Sequence, residues 1–302
     1  MGRDLAEAFS QARMVFEEVD DALSQNLSRL MFEGPAEDLM LTENAQPALM
    51  AHSLAVLGVL RAEAGVVPHE AASFVAGHSL GEYSALAAAG CLQPADAARL
   101  LKLRGQAMQR AVPVGEGAMA ALLGLDLDTA RDVAAEAAAA PDGQTQVCSA
   151  ANENAPGQVV VSGHLEAVER ALTIAADKGA RRSVMLPVSA PFHCALMAPA
   201  ADAMAEALAE VVIAPALLPI VANVTAEPVQ DPETLRKLLV EQVTGLVRWR
   251  EGVLFMKSQG VEELVEIGAG KVLSGLARRI DRELAARSVG TPAEIEEFVK
   301  SL

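Results

Sequence analysis

The sequence predicts an α/β protein: a discontinuous domain with a parallel sheet, interrupted by a small inserted unit. Three observations carry this. Short apolar runs alternate with Ala- and Leu-rich helical segments along much of the 302 residues. Residues 114–189 have their own order, β-α-β-β-α-β, which is that of a ferredoxin-like unit. The strand and helix alternation then resumes, so residues 1–113 and 190–302 are expected to form the two parts of one larger domain.

The elements follow in order. Residues 1–60 read as helical, with breaks at Gly34-Pro35 and near Pro47. Ser73-Phe74-Val75-Ala76 suits a buried strand, and Glu82 to Ala89 a helix closed by Gly90. A helix runs from about Pro94 to Ala111, and Pro113 to Gly117 is a crossing point between units. The insertion has strands at 118–125, 146–152, 158–162 and 182–188, with helices at 127–140 and 165–178. After it come a helix at 195–211, a strand at 219–224, helices around 233–243 and 249–259, and a strand at 263–267. Gly268-Ala269-Gly270 turns into a helix ending near Leu284. A short strand near Ser288 and a helix from Pro292 finish the chain.

Composition narrows the function. Apolar residues make up 52%, yet no run of ~18 of them is free of charge. The start, MGRDLAEAF, lacks the apolar segment of a signal peptide. Cys91, Cys148 and Cys194 are scattered, make no metal spacing and suit a reduced cytoplasmic protein. A net charge of −16 and only 3% aromatic residues argue against a nucleic-acid partner. There is no Walker motif and no G-x-G-x-x-G, and no cofactor is expected.

One stretch carries chemistry. In "SFVAGHSLGEYSALAAAG", Ser79 stands between Gly77 and Gly81 in the pattern G-x-S-x-G. A strand before and a helix after would lift its hydroxyl into a cleft at a helix N-terminus, where the Leu80 N–H can bind an oxyanion. The alternative is a serine that only caps the helix. A serine hydroxyl is a weak nucleophile until a base takes its proton. Among His52, His69, His78, His164 and His193, only His193 follows a strand end at a helix start, where catalytic groups of open sheets gather. The side chain of His78 should point away from that of Ser79, and His164 reads as a surface residue. His52 falls in a helix and His69 in a loop. The alternative for His193 is a histidine that packs locally. Arg104 shares a helix face with Leu100, Leu101 and Met108. It either snorkels to solvent or points into a cleft, where its planar fork would suit a carboxylate.

The motifs "AGHSLGEYSAL", "LKLRGQAMQRAVP.GEGAMAA", "NAPGQVVVSGH", "VSAPFHCALM" and "EIGAGKVLSGL" together resemble the malonyl-CoA:acyl carrier protein transacylase family, from about Gly2 to Ile280. That resemblance implies an α/β-hydrolase-like large domain with a ferredoxin-like insertion. It implies a malonyl ester on Ser79, His193 as general base, and the backbone carbonyl of Gln242 in place of an orienting carboxylate. Arg104 would pair with the malonate carboxylate, and the Leu80 N–H would be an oxyanion donor. Asn154 and Gln158 would face the cleft, and Phe192 would favour malonyl over branched acyl groups. The implied partners are malonyl-CoA and an acidic acyl carrier protein, docking near Lys271, Arg278, Arg279 and Arg282, and the protein is expected to be a monomer. Losing the Gln242 side chain is expected to matter less than losing His193, because the carbonyl would remain.

Two rival readings are a serine esterase or thioesterase, which needs an acid on His193 and water as acceptor, and an acyltransferase unit of a polyketide synthase. A third is a protein that keeps the fold without activity. The resemblance also implies an apolar strand and a loop reading like F-P-G-Q-G-S-Q ahead of "GRDLA", with a second oxyanion donor in that loop. The given sequence opens past both, so either the gene product is expected to start upstream or the chain to be poorly folded and nearly inactive.

Overall fold

The computed structural model describes residues 1–140, 143 and 145–302. The first part runs α1 (Arg3–Ala8), α2 (Ser10–Leu23), α3 (Leu27–Glu33), α4 (Ala36–Met40), α5 (Thr42–Ala64), α6 (Pro68–Ala71), β1 (Val75–Ala76), α7 (Gly81–Ala88) and α8 (Pro94–Ala111). The middle is β2 (Gly117–Leu123), α9 (Leu127–Ala138), β3 (Cys148–Ala155), β4 (Gln158–His164), α10 (Leu165–Asp177) and β5 (Arg182–Met185). A 3-10 turn, Ala195–Met197, then leads into α11 (Ala198–Glu210), β6 (Ile220–Val221), β7 (Pro228–Val229) and α12 (Pro232–Thr244). The chain closes with α13 (Trp249–Ser258), β8 (Glu263–Ile267), α14 (Val272–Ile280), β9 (Ala285–Val289) and α15 (Pro292–Ser301).

The middle strands form one antiparallel sheet in the order β3-β4-β2-β5, the ferredoxin-like order expected from the sequence. The run Val159-Val160-Val161 shows why it holds. Successive strand side chains point to opposite faces. Val159 and Val161 pack with Val133 and Val168 of α9 and α10, while Val160 joins Met119 and Ala151 on the other face, against Phe192. Both faces are buried, so the strand reads as continuously apolar. The edge strand β3 has register shifts after Ala150 and Glu153. There it borrows the backbone of Val247: Val247 N–H donates to Ala151 O and Glu153 N–H to Val247 O, both at 2.9 Å. Those bonds dock the insertion onto the segment ahead of α13.

The larger part is helix-rich. Phe16, Met50, Leu101 and Met204, from α2, α5, α8 and α11, lie in one apolar core. The axes of α5 and α8 come close because residue 105 is glycine: a Cβ there would sit 2.5 Å from Glu43 Cα. Contrary to expectation, α5 runs through Pro47. The bond that proline cannot make would go to Glu43, in the first turn of the helix, so the ladder beyond is intact. The break at Gly34-Pro35 is present, between α3 and α4.

The parallel pairing is in two pieces. β1 pairs with β6, which turns back as β7, and β8 pairs with β9. Among the described residues no strand bonds the other edge of β1 or of β8. β1 and β6 are shorter than the runs 73–76 and 219–224 suggested. The chain leaves β1 at once for the turn at Gly77, and leaves β6 for a tight turn in which Ala226 N–H bonds Ala222 O at 2.9 Å. α14 stops at Ile280, four residues early, because Asp281 turns extended and its carboxylate pairs with Lys257. His69 lies in the short helix α6, and His164 is half-buried, its Nδ1 accepting the Val147 N–H at 2.8 Å.

Candidate active site

The turn from β1 into α7 is a strained elbow. Ser79 has φ 53°, a region that costs a non-glycine residue roughly 1–3 kcal/mol. The elbow can be this tight only because residue 77 has no side chain: a Cβ on Gly77 would lie 1.9 Å from the Gly81 carbonyl oxygen. Asn223, just past β6, clamps the turn from outside. Its Oδ1 accepts the Ser79 N–H and its Nδ2 donates to Gly77 O, each at 2.7 Å. The Leu80 N–H, at the start of α7, makes no hydrogen bond among the described residues.

The elbow aims Ser79 at His193. Ser79 Oγ lies 2.7 Å from His193 Nε2, and His193 Nδ1 lies 2.8 Å from the backbone carbonyl of Gln242. A carbonyl only accepts, so Nδ1 carries the hydrogen and Nε2 presents its lone pair to the serine hydroxyl. His193 is buried. Burial first, and the positive charge of Arg104 second, hold its pKa down to about 3, while the Gln242 carbonyl pulls the other way. The imidazole is thus neutral at pH 7, as a base must be. No carboxylate hydrogen-bonds His193 among the described residues.

Arg104 does not snorkel. It is 1% exposed and points from α8 into the site. Nη2 donates to Ser79 Oγ at 3.1 Å and to Gln242 Oε1 at 2.8 Å, and Nη1 donates to Gln46 Oε1 at 2.7 Å. The guanidinium carbon lies 5.9 Å from the centre of the Tyr83 ring, and the Nε–H has no partner. A buried guanidinium held by neutral groups, with a donor to spare, suits an anion beside Ser79.

These features suit acyl transfer, and the comparisons name the lineage. An acyl transferase domain family matches residues 1–289. The chain belongs to that family. It is 42% identical over 302 residues to the malonyl CoA-acyl carrier protein transacylase of Bacillus subtilis, covering 100% of this chain and 92% of the relative. The crystal structure of acyl-carrier-protein-S-malonyltransferase from Bartonella henselae superposes with a TM-score of 0.95 at 54% identity, covering 100% of this chain and 94% of that one. A malonyl-transacylase in complex with a type II PKS acyl-carrier protein matches with a TM-score of 0.94 at 43% identity, over 100% of this chain and 95% of that one. The acyl transferase fold therefore extends over both parts of the chain and the inserted sheet.

Ser79, His193, Arg104 and Gln242 come together as the sequence suggested. Asn154 approaches from β3, its Oδ1 2.8 Å from His78 Nε2, and the His78 ring lies beside that of Trp249. Phe192 lies between the main core and the inner face of the inserted sheet. Gln158 is elsewhere in its bonding: its Oε1 accepts from exposed Arg279 at 3.1 Å. A cavity of about 360 Å³ lies beside Met1, His52 and Lys271 and contains none of these groups.

Four groups escaped the sequence reading. Asn223 follows a strand end, a position that could have drawn notice. Glu82 is one helical turn past Ser79. Gln46, 58 positions from Arg104, carried no signal at all, and neither did the side chain of Gln242. That side chain touches more of the site than its carbonyl does: besides Arg104, its Nε2 donates to Ser79 O at 2.9 Å and to Glu82 Oε2 at 2.6 Å.

Proposed function

We propose that this acyl transferase moves the malonyl group from malonyl-CoA to the phosphopantetheine thiol of an acyl carrier protein, through a malonyl ester on Ser79. One observation carries the reading: a buried guanidinium stands 3.1 Å from a serine that is itself 2.7 Å from a neutral histidine. A malonyl group has a carboxylate for the first and a thioester carbonyl for the second.

Each step uses a group that the site presents. The malonyl carboxylate takes the donors of Arg104, which places the thioester over Ser79 and makes attack effectively unimolecular. It also cancels the charge that helps to hold His193 at low pKa, so the substrate itself improves its base. Ser79 Oγ attacks the carbonyl carbon as its proton passes to His193 Nε2. The oxyanion takes the free Leu80 N–H. The C–S bond then breaks, and His193 returns the proton to the CoA thiolate. In the second half the carrier thiol gives its proton to His193 and attacks the ester, and Ser79 leaves with the proton restored. Phe192, packed against Met119, Ala151 and Val160, is the residue proposed to favour malonyl over branched acyl groups.

The carrier protein is acidic in this picture and the chain carries −16, so docking needs a local positive patch. Lys271, Arg278, Arg279 and Arg282 remain the proposed face. Lys271 pairs with Glu294, Arg278 donates to Ala286 O and Arg279 to Gln158. Among the described residues no helix is long and apolar enough to cross a membrane, and the three cysteines are free and buried. The cytoplasm is the proposed location, and fatty-acid or polyketide extension the proposed use.

The esterase reading needs a carboxylate on His193, and the group found there is a carbonyl. Mass spectrometry after mixing with malonyl-CoA tests the proposal. A malonyl adduct on the Ser79 peptide, discharged by carrier protein faster than by water, is expected. An adduct on another residue, or discharge that ignores carrier protein, would refute it.

A further inference from the structure

Glu82 is a buried carboxyl that none of these steps uses. Its Oε2 accepts from Gln242 Nε2 at 2.6 Å, and its Oε1 from the Asn223 backbone N–H at 3.4 Å. Gln242 Oε1 in turn accepts from Arg104 Nη2 at 2.8 Å. A single side-chain amide thus joins a carboxyl to a guanidinium, all three out of water. Its orientation is forced, because the NH2 must face an acceptor and the carbonyl a donor. The dipole so fixed favours a negative charge on Glu82 and a positive one on Arg104.

The other groups around Arg104 are neutral: Gln46, Ser79 and the ring of Tyr83. A buried cation is costly without an anion. We propose that Glu82 is a positioning residue for the acyl carboxylate: ionised, it balances Arg104 through the Gln242 amide while the site is empty, and it takes a proton from solvent when the malonyl carboxylate arrives. This rests on the malonyl reading above. With substrate bound, two anions share one buried cation, and the anion one amide away is the weaker held. The charged and titratable groups facing Glu82 are Arg104 from α8 and Tyr83 beside it on α7. In the empty site His193 is neutral, its pKa held down to about 3 chiefly by burial. Burial lifts Glu82 to about 7, so the exchange falls within the working range of pH.

Forming the malonyl ester and free CoA thiol from Ser79 and the thioester releases no net proton. Proton uptake during stoichiometric acylation, followed with an indicator dye in weak buffer, therefore reports Glu82. If the carboxylate raises Glu82 by ~1 unit, the wild-type protein takes up about half a proton per site at pH 7.5. With acetyl-CoA it takes up none. The KM for malonyl-CoA should rise with pH from 6.5 to 8, as Glu82 ionises and opposes the substrate. Glu82→Gln should flatten that rise, and the KM for acetyl-CoA should be flat in both proteins. A malonyl-Ser79 adduct formed without proton uptake, or the same slope in Glu82→Gln, would overturn the inference and leave the substrate reading standing. No adduct at all would instead remove the substrate reading beneath it. Should Glu82→Gln fail to fold, the wild-type proton count decides alone.

Discussion

The side-chain carbonyl of Gln242 lies 2.8 Å from Nη2 of Arg104, while the backbone carbonyl of the same residue holds His193. One residue therefore orients both the base and the anion site. Its side chain thus counts beside its carbonyl, although its loss is still expected to cost less than that of His193. Gln242→Ala leaves a buried guanidinium hydrogen and Glu82 Oε2 without a partner. Hydrogen bonds to charged groups contribute ~1.5–3 kcal/mol each, so malonyl transfer should fall by roughly 10- to 100-fold. Initial rates with malonyl-CoA and carrier protein check this. Near wild-type rates would show that the amide is dispensable.

Ser79→Ala should abolish the acyl-enzyme and leave the melting curve of a folded protein. His193→Ala should keep the fold and lower transfer by ~10²–10⁴-fold. Rapid-quench labelling with malonyl-CoA distinguishes the two, since the histidine variant should still acylate slowly. Wild-type labelling in either variant would remove that residue from the mechanism.

Arg104→Ala should lose far more malonyl than acetyl transfer, because acetyl has no carboxylate to place. Arg104→Lys should not rescue it. An ammonium cannot reach Gln46, Gln242 and the substrate together as the planar fork does. Equal losses for the two substrates would make Arg104 structural only.

Gly77→Ala should be damaging far beyond its one methyl group. The new Cβ would meet the Gly81 carbonyl at 1.9 Å, and backbone cannot swing away as a side chain can. A loss of ~2–4 kcal/mol is expected, a fall in Tm of roughly 3–6 °C in a chain of 302 residues. Differential scanning calorimetry reads it, and an unchanged Tm would mean that the elbow is less rigid than its geometry.

Stability should respond to pH through Glu82. Its folded pKa is raised from 4.5 to about 7, so between those values the folded state holds a proton that the unfolded state has lost. Wild-type stability then falls as pH rises from 4.5 to 7, by at most ~1.4 kcal/mol per unit. Glu82→Gln removes that slope, so its stability relative to wild type should climb over this range and level off above pH 7. Urea titrations at pH 5, 6, 7 and 8 test the sign. A constant difference would show that Glu82 does not titrate there.

The sequence by itself determined the elements and the order of the inserted sheet. Period and punctuation are local: the three consecutive valines of β4, Pro94 opening α8 and Gly179 closing α10 are each read within a few residues. It also singled out Ser79 and His193, which the fold brings to 2.7 Å of each other, because Gly77 and Gly81 around Ser79 are a local demand of a tight turn, and the ordered motifs of the family did the rest. Tertiary structure alone decided how Arg104 is held. Its partners Gln46 and Gln242 lie 58 and 138 positions away, the first on α5, which closes on α8 at Gly105, and the second on α12. Asn223, which clamps the elbow, is 144 positions from Ser79. A polar side chain on an amphipathic helix looks the same in sequence whether it meets water or a buried guanidinium. Only packing takes Gln242 and Glu82 out of water, and only there do their hydrogen bonds and charge acquire the strength to govern a site.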